Sequence, residues 1–234
     1  PEGGDIPNPP TPTIPPTVEE AIENGEVLSN DSQTTIKDEY ENIIKIPAGF
    51  KIAKDSGTDV TQGVVIEDVS AGTETTKGSQ FVWIPVGDVN YSGGTKTINL
   101  NRYTFASNGT PTGQEANIID SYFEELKTSS YGNTTAKNID EFKTSANDNH
   151  GYYIGRYEAG DPTATSNRTD SSTKTTPIVC KEDQFVYNNI TQSQATNLAK
   201  TMYEGKTFTS DLINSYAWDT ATRVYTARAI VVVA

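Results

Sequence analysis

The chain has 234 residues, of which 34% are hydrophobic and 21% charged, enough to bury a core in one or two domains. Its 31 acidic against 18 basic residues give a formal net charge of -13, which repels a nucleic-acid backbone. One cysteine, Cys180, and one histidine, His150, exclude an intrachain disulfide, a cysteine-based zinc site and a histidine metal cluster, and they weaken every histidine-dependent catalytic triad.

Residues 1–16 (PEGGDIPNPPTPTIPP) are dense in proline, which removes backbone donors and favours extended polyproline II; they read as a stiff linker. Thr17 then caps a short helix, with Glu20 completing a capping box and Asn24-Gly25 supplying a left-handed exit. Three short β-branched runs follow, at residues 43–46, 50–53 and 64–68, separated by turns at Pro47-Ala48-Gly49 and Asp55-Ser56-Gly57. Residues 17–78 therefore read as a small β-rich module. Its last stretch, 70–78 (SAGTETTKG), reads as a flexible joint.

Residues 80–85 (QFVWIP) carry the strongest strand signal in the chain, and 87–97 and 106–114 read as surface loops or hairpin tips. Ile118, Ile119, Tyr122, Phe123 and Leu126 fall at helical spacing, and a further short helix is expected over 139–144. Residues 151–158 (GYYIGRYE) read as a strand, and 161–176 as a polar loop with little to bury. Thr191 and Gln194 form a second capping box, ahead of a helix face of Ala195, Leu198, Ala199 and Met202. Another helix is expected to start at Ser210-Asp211 and to bury Leu212, Ile213, Tyr216, Ala217 and Val224. The chain closes with Ala229, Ile230, Val231, Val232, Val233 and Ala234, an uncharged β-prone run far shorter than the ~18 residues of a membrane span.

The order SQFVWIPV (79–86), GYYIGRYE (151–158), TQSQATNLAKTMY (191–203) and SDLINSYAWDTATR (210–223) resembles the front half of a formylglycine-generating-enzyme-like, or sulfatase-modifying-factor, domain. That resemblance implies a C-type-lectin-like fold, with Trp83, Tyr153, Tyr157 and Trp218 as fold anchors. The fold class expected is therefore α+β, a C-type-lectin-like domain over 79–234 preceded by the β-rich module. The segment IPAGFKIAKDSGTDVTQGVVIED also resembles the module that precedes such domains in Firmicutes surface proteins. Family enzymes bind copper through a cysteine pair and oxidise a substrate thiol; with Cys180 alone, no catalytic residue carries over. The family also continues into closing strands that this sequence lacks, so the domain reads as incomplete at its C-terminus or as completed from elsewhere.

Individual residues offer few chemical alternatives. Asn147, Asp148 and Asn149, ahead of His150-Gly151, present alternating oxygens suited to a hard cation such as calcium. They lack the bidentate glutamate of an EF-hand, which favours an ordinary loop, so calcium is the one cofactor left open. Glu158 and Asp161 could pair as acid and base, but a surface turn explains them as well. No G-x-S-x-G motif accompanies the many hydroxyls. Cys180 follows Ile178-Val179 and reads as a buried small apolar residue. Sequons at Asn30, Asn90, Asn108, Asn133, Asn167 and Asn189 are what chance gives in a chain so rich in Asn and Thr.

The abundance of hydroxyls and amides, the scarcity of thiol and the proline-rich start fit an extracellular or cell-surface location, and Pro1 leads us to expect an export or anchoring segment upstream. The expected function is a non-enzymatic, exported bacterial surface protein, acting as a binding or adhesion head for a glycan or protein. The alternative is a subunit of a surface filament, in which residues 229–234 complete the sheet of another copy by strand exchange. A copper-dependent oxidase ranks third.

Overall fold

The computed structural model describes residues 16–115, 139–167 and 176–225. Helix α1 (Val18–Asn24) is followed by strands β1 (Thr34–Lys37), β2 (Ile43–Ile46), β3 (Phe50–Ile52), β4 (Val65–Asp68) and β5 (Gln80–Pro85). Two hairpins come next, β6 (Gly87–Tyr91) with β7 (Gly94–Ile98), and β8 (Tyr103–Phe105) with β9 (Pro111–Glu115). Helix α2 (Ile139–Asp148) leads into β10 (Gly151–Gly155), and helices α3 (Gln192–Thr201) and α4 (Ser215–Tyr225) complete the described elements. The architecture is α+β, with antiparallel sheets throughout.

Both capping boxes form as their spacing requires. Thr17 accepts the Glu20 N–H at 3.2 Å while the Glu20 carboxylate accepts the Thr17 N–H at 2.9 Å, and Gly25 closes α1 at φ 64°. Thr191 and Gln194 repeat the arrangement at α3, whose Leu198 and Ala199 are buried together with Met202 just beyond it. Helix α2 runs past 144 to Asp148, because Ala146, one turn beyond Phe142, is buried in the same core. Helix α4 starts at Ser215, four residues after the expected Asp211. Asn214 caps it, accepting the Ala217 N–H at 3.0 Å, so Leu212 lies outside the helix and Ile213 stays exposed instead of buried. The expected helix over 118–126 lies outside the described residues.

The central sheet has four strands in the order β10-β5-β4-β3. One face, through Phe50, Ile52, Ile66 and Trp83, packs against Val18 and Ala21 of α1, Ile36, Ile44 and Ile46 of the β1–β2 ribbon, and Leu198 and Ala199 of α3. Part of the other face, through Ile84, Tyr152, Val82 and Ile154, is covered by Ala146 of α2 and by Ala217, Ala221 and Tyr225 of α4. Strand β10 stops at Gly155, three residues before the expected Glu158.

The flexible joint expected at 70–78 is a tightly bonded turn. Ala71 and Thr76 are buried, the Gly78 N–H donates to Asp68 O at 2.7 Å, and the Asp68 side chain accepts from Ala71 N–H, Gly72 N–H and the Thr76 hydroxyl. Strand β5 then pairs directly with β4, Val82 opposite Val65 and Gln80 opposite Glu67. The sheet thus runs through the boundary expected between residues 78 and 79. Polar, small residues look like a linker in sequence; here they serve a buried acceptor supplied by the strand before them.

Candidate functional site

Of the four expected anchors, Trp83 is core and Tyr153 packs against it half-buried. Trp83 is 2% exposed, and its ring lies 5.0 Å from that of Tyr153, whose hydroxyl donates to Lys45 O at 3.1 Å. Trp218 instead stands on the outer side of α4 at 36% exposure, and Tyr157 is half-buried at the surface with the Arg156 guanidinium over its ring. These last two are placed where a partner can reach them.

Tyr157 belongs to a surface assembled from two segments, 156–161 and 178–187. Gly160 lies between the arms of the second segment, bridging Val179 on one side and Val186 on the other. Its N–H donates to Val179 O at 2.7 Å, the Asp161 N–H donates to Phe185 O at 2.9 Å, and the Tyr187 N–H donates to Ala159 O at 2.8 Å. A β-carbon on Gly160 would lie 2.5 Å from the Gln184 β-carbon, so this close approach requires glycine. Asp183, at φ 56°, turns the chain just before. The clamp fixes the backbone and leaves Phe185 and Val186 exposed at 41% and 43%.

Charge surrounds Tyr157. Arg156 holds Asp55 through two contacts, at 2.9 and 2.8 Å, and donates to the Gln80 side chain at 2.8 Å. The Asp55 carboxyl is held below its usual range chiefly by the hydrogen bond from Arg156, and the guanidinium is correspondingly raised. Burial raises the Tyr157 phenol; Arg156 lowers it, while the nearby carboxylates of Glu182, Asp55 and Asp183 raise it further. The ladder continues across the outer sheet face, Gln80 donating to Glu67 at 2.9 Å and Lys51 lying 3.1 Å from Glu67. In sequence Tyr157 stands out as an expected fold anchor, and the rest of this surface shows only as an apolar pair, Phe185-Val186, after an acidic turn. The exposure of that pair is set by Gly160, which is distant in the chain, so nothing local in the sequence marks it.

The other candidate residues are placed as follows. Asn147 and Asn149 fold back on α2, their amides donating to Lys143 O at 2.7 Å and Ser145 O at 2.8 Å. Lys45 donates to the Asn149 side-chain oxygen at 3.0 Å and to Asp148 O at 3.3 Å, so a cation from the protein itself already faces this run. His150 follows at φ 59°, closing the helix. Asp161 is buried and accepts both the backbone and the hydroxyl of Thr163, whereas Glu158 is exposed. Among the described residues, no group of three or more His, Cys, Asp or Glu side chains converges as a metal site. The run 229–234 lies outside the described residues.

Cys180 is buried, as its apolar neighbours suggested, and burial pushes its thiol up to about 12. At pH 8 the thiolate fraction of such a group is about a thousandfold below that of an exposed cysteine. Labelling of the folded chain by a disulfide reagent should therefore be slower by at least that factor, and addition of denaturant should release one fast equivalent. Fast labelling without denaturant would place Cys180 at the surface.

No family model matches the chain, and no curated protein or solved structure matches it significantly. No helix among the described residues is long and apolar enough to cross a membrane.

Proposed function

We propose that the chain is a non-enzymatic, exported bacterial surface protein acting as a binding or adhesion head, and that Tyr157, Phe185 and Val186 form its contact surface for a glycan or protein ligand. The observation that carries this reading is the double bridge at Gly160, which holds two large apolar side chains in solvent on a fixed backbone. A preordered surface loses little conformational freedom on binding, and aromatic rings supply broad contact area with few rotatable bonds. The carboxylates of Glu182 and Asp183 beside these rings provide acceptors for sugar hydroxyls or peptide amides. The assignment to a C-type-lectin-like, formylglycine-generating-enzyme-like domain belongs to the same proposal. It is supported by the pairing of the two resembling strands, β5 and β10, with α3 and α4 following them.

The test is binding of the purified chain to a printed glycan array and to immobilised mucin, fibronectin and collagen. Phe185→Ala and Tyr157→Ala should each reduce the bound signal at least tenfold, while Trp218→Ala leaves it unchanged. Absence of binding to every surface, or binding indifferent to both loop substitutions, would overturn the proposal.

A further inference from the structure

A second surface, independent of the Phe185 loop, lies at the edge of the central sheet. The Val86 N–H donates to His150 O and the Arg156 N–H donates to Gln80 O, which sets the alternation along β10. Even-numbered residues of β10 bond to β5, so the backbone groups of Gly151, Tyr153 and Gly155 point away from the sheet. Among the described residues, none of those outward N–H or C=O groups has a hydrogen-bond partner. At the opposite edge, by contrast, Phe50 O accepts the Leu28 N–H. One more donor without an acceptor among the described residues sits beside β10, the buried Trp83 indole N–H. The benzo edge of that indole packs on Gly151, where a β-carbon would come within 2.3 Å of Trp83 Cζ2.

A sheet edge with unpaired backbone groups, as at the half-buried Tyr153 and the exposed Gly155, is a template for an added strand. A strand laid along β10 would meet Tyr153 on one side of the sheet and Tyr152 and Ile154 on the other, so it should be extended, uncharged and apolar. Residues 229–234 (AIVVVA) have that composition, and their six residues are enough to span the five of β10. Helix α4 also carries the chain away from its own β10 edge. Near its start Ala217 O accepts the Tyr152 hydroxyl of β10, and at its end the Tyr225 ring lies where a β-carbon on Gly63 would come within 3.7 Å of it, while its hydroxyl donates to Trp83 O, which faces β4.

We infer that the β10 edge is an acceptor for residues 229–234 of a second copy of this chain. Each copy then offers one edge and one strand. Such a head-to-tail contact builds dimers and longer chains of subunits rather than a closed pair, unless the rotation between copies closes a ring.

The test uses the full chain and the variant Val232→Pro, which removes a backbone donor from the strand, in light scattering over a concentration series with amide hydrogen exchange. The expected result is concentration-dependent oligomers, weakened at least tenfold in Val232→Pro, with the Tyr153 and Gly155 amides protected only in the oligomeric fraction. A fluorescent peptide of residues 228–234 should bind Val232→Pro saturably. A monomer at every concentration overturns the inference, including a monomer whose Tyr153 and Gly155 amides are protected, which would mean that the chain fills its own edge. Oligomers that form equally in Val232→Pro also overturn it. None of these readouts involves Phe185, so the inference and the proposed ligand surface fail separately.

Discussion

Replacing Trp83 by alanine should lower the stability of the chain by about 3–5 kcal/mol, the range for deleting a large buried aromatic. Trp83 is the largest of the fully buried side chains and lies at the centre of the sheet. Its backbone bonds to Val64, and its carbonyl accepts the Tyr225 hydroxyl at 2.7 Å. Those backbone links survive the substitution, so the loss measures side-chain volume and the contacts with Tyr153 and Gly151. Trp83→Phe is a sharper comparison. It keeps part of the ring and also removes the buried indole N–H, which has no acceptor among the described residues, so its cost should be less than half that of alanine. Urea unfolding followed by far-ultraviolet circular dichroism measures both, since neither depends on indole fluorescence. A shift of the midpoint with an unchanged slope is expected; a loss under about 1 kcal/mol for Trp83→Ala would mean that the site is not a packed core.

How much of this was legible in the sequence follows the range of each interaction. Thr17 with Glu20 and Thr191 with Gln194 are three residues apart, and both caps formed as expected. The strand QFVWIP was legible because its residue types suit a buried strand whatever its neighbours. The start of α4 was not, because Ser210, Asp211 and Asn214 are all good caps. What selects Asn214 is that Ala217, Ala221 and Tyr225 must face Tyr152 and Ile84, across the fold. The same limit hid the Phe185 surface, whose exposure depends on Gly160, and misread residues 70–78, whose small polar side chains serve Asp68 and not solvent.

Composition reaches less far toward function than toward fold. Composition bears on nucleic-acid backbones and on cysteine or histidine metal clusters through counts alone. It says nothing about which side chains stand together at the surface. Arg156, Asp55 and Glu182 come from three separate stretches, and only the turn after β10 brings them around Tyr157. A ligand-binding reading of such a chain therefore rests on tertiary placement, and the substitutions that test it are those at Tyr157 and Phe185, not at the core aromatics.

Asp68→Ala is expected to cost about as much as Trp83→Ala, for the opposite physical reason. Asp68 is 1% exposed, and its carboxylate accepts the Ala71 N–H at 2.9 Å, the Gly72 N–H at 3.3 Å, the Thr76 hydroxyl at 2.8 Å and the Tyr203 hydroxyl at 3.0 Å. Alanine leaves these donors buried without an acceptor, and each such loss costs about 1–3 kcal/mol, not additively. Burial first, and then the Asp68 charge, hold the Tyr203 phenol far above its usual range, so it remains a donor throughout the pH range of the folded chain. Tyr203→Phe removes one donor and should cost about 1 kcal/mol alone, but close to nothing when added to Asp68→Ala. Asp68→Asn should fall between, because its amide keeps one acceptor while turning two donors toward other donors. The pair joins the end of β4 to the chain just after α3, across 135 residues. Wild-type unfolding should therefore be a single transition by circular dichroism and by tryptophan fluorescence, the regions before and after residue 78 melting together. Two separated transitions in the wild type, or independent effects of Asp68→Ala and Tyr203→Phe, would show that the network does not couple the two regions.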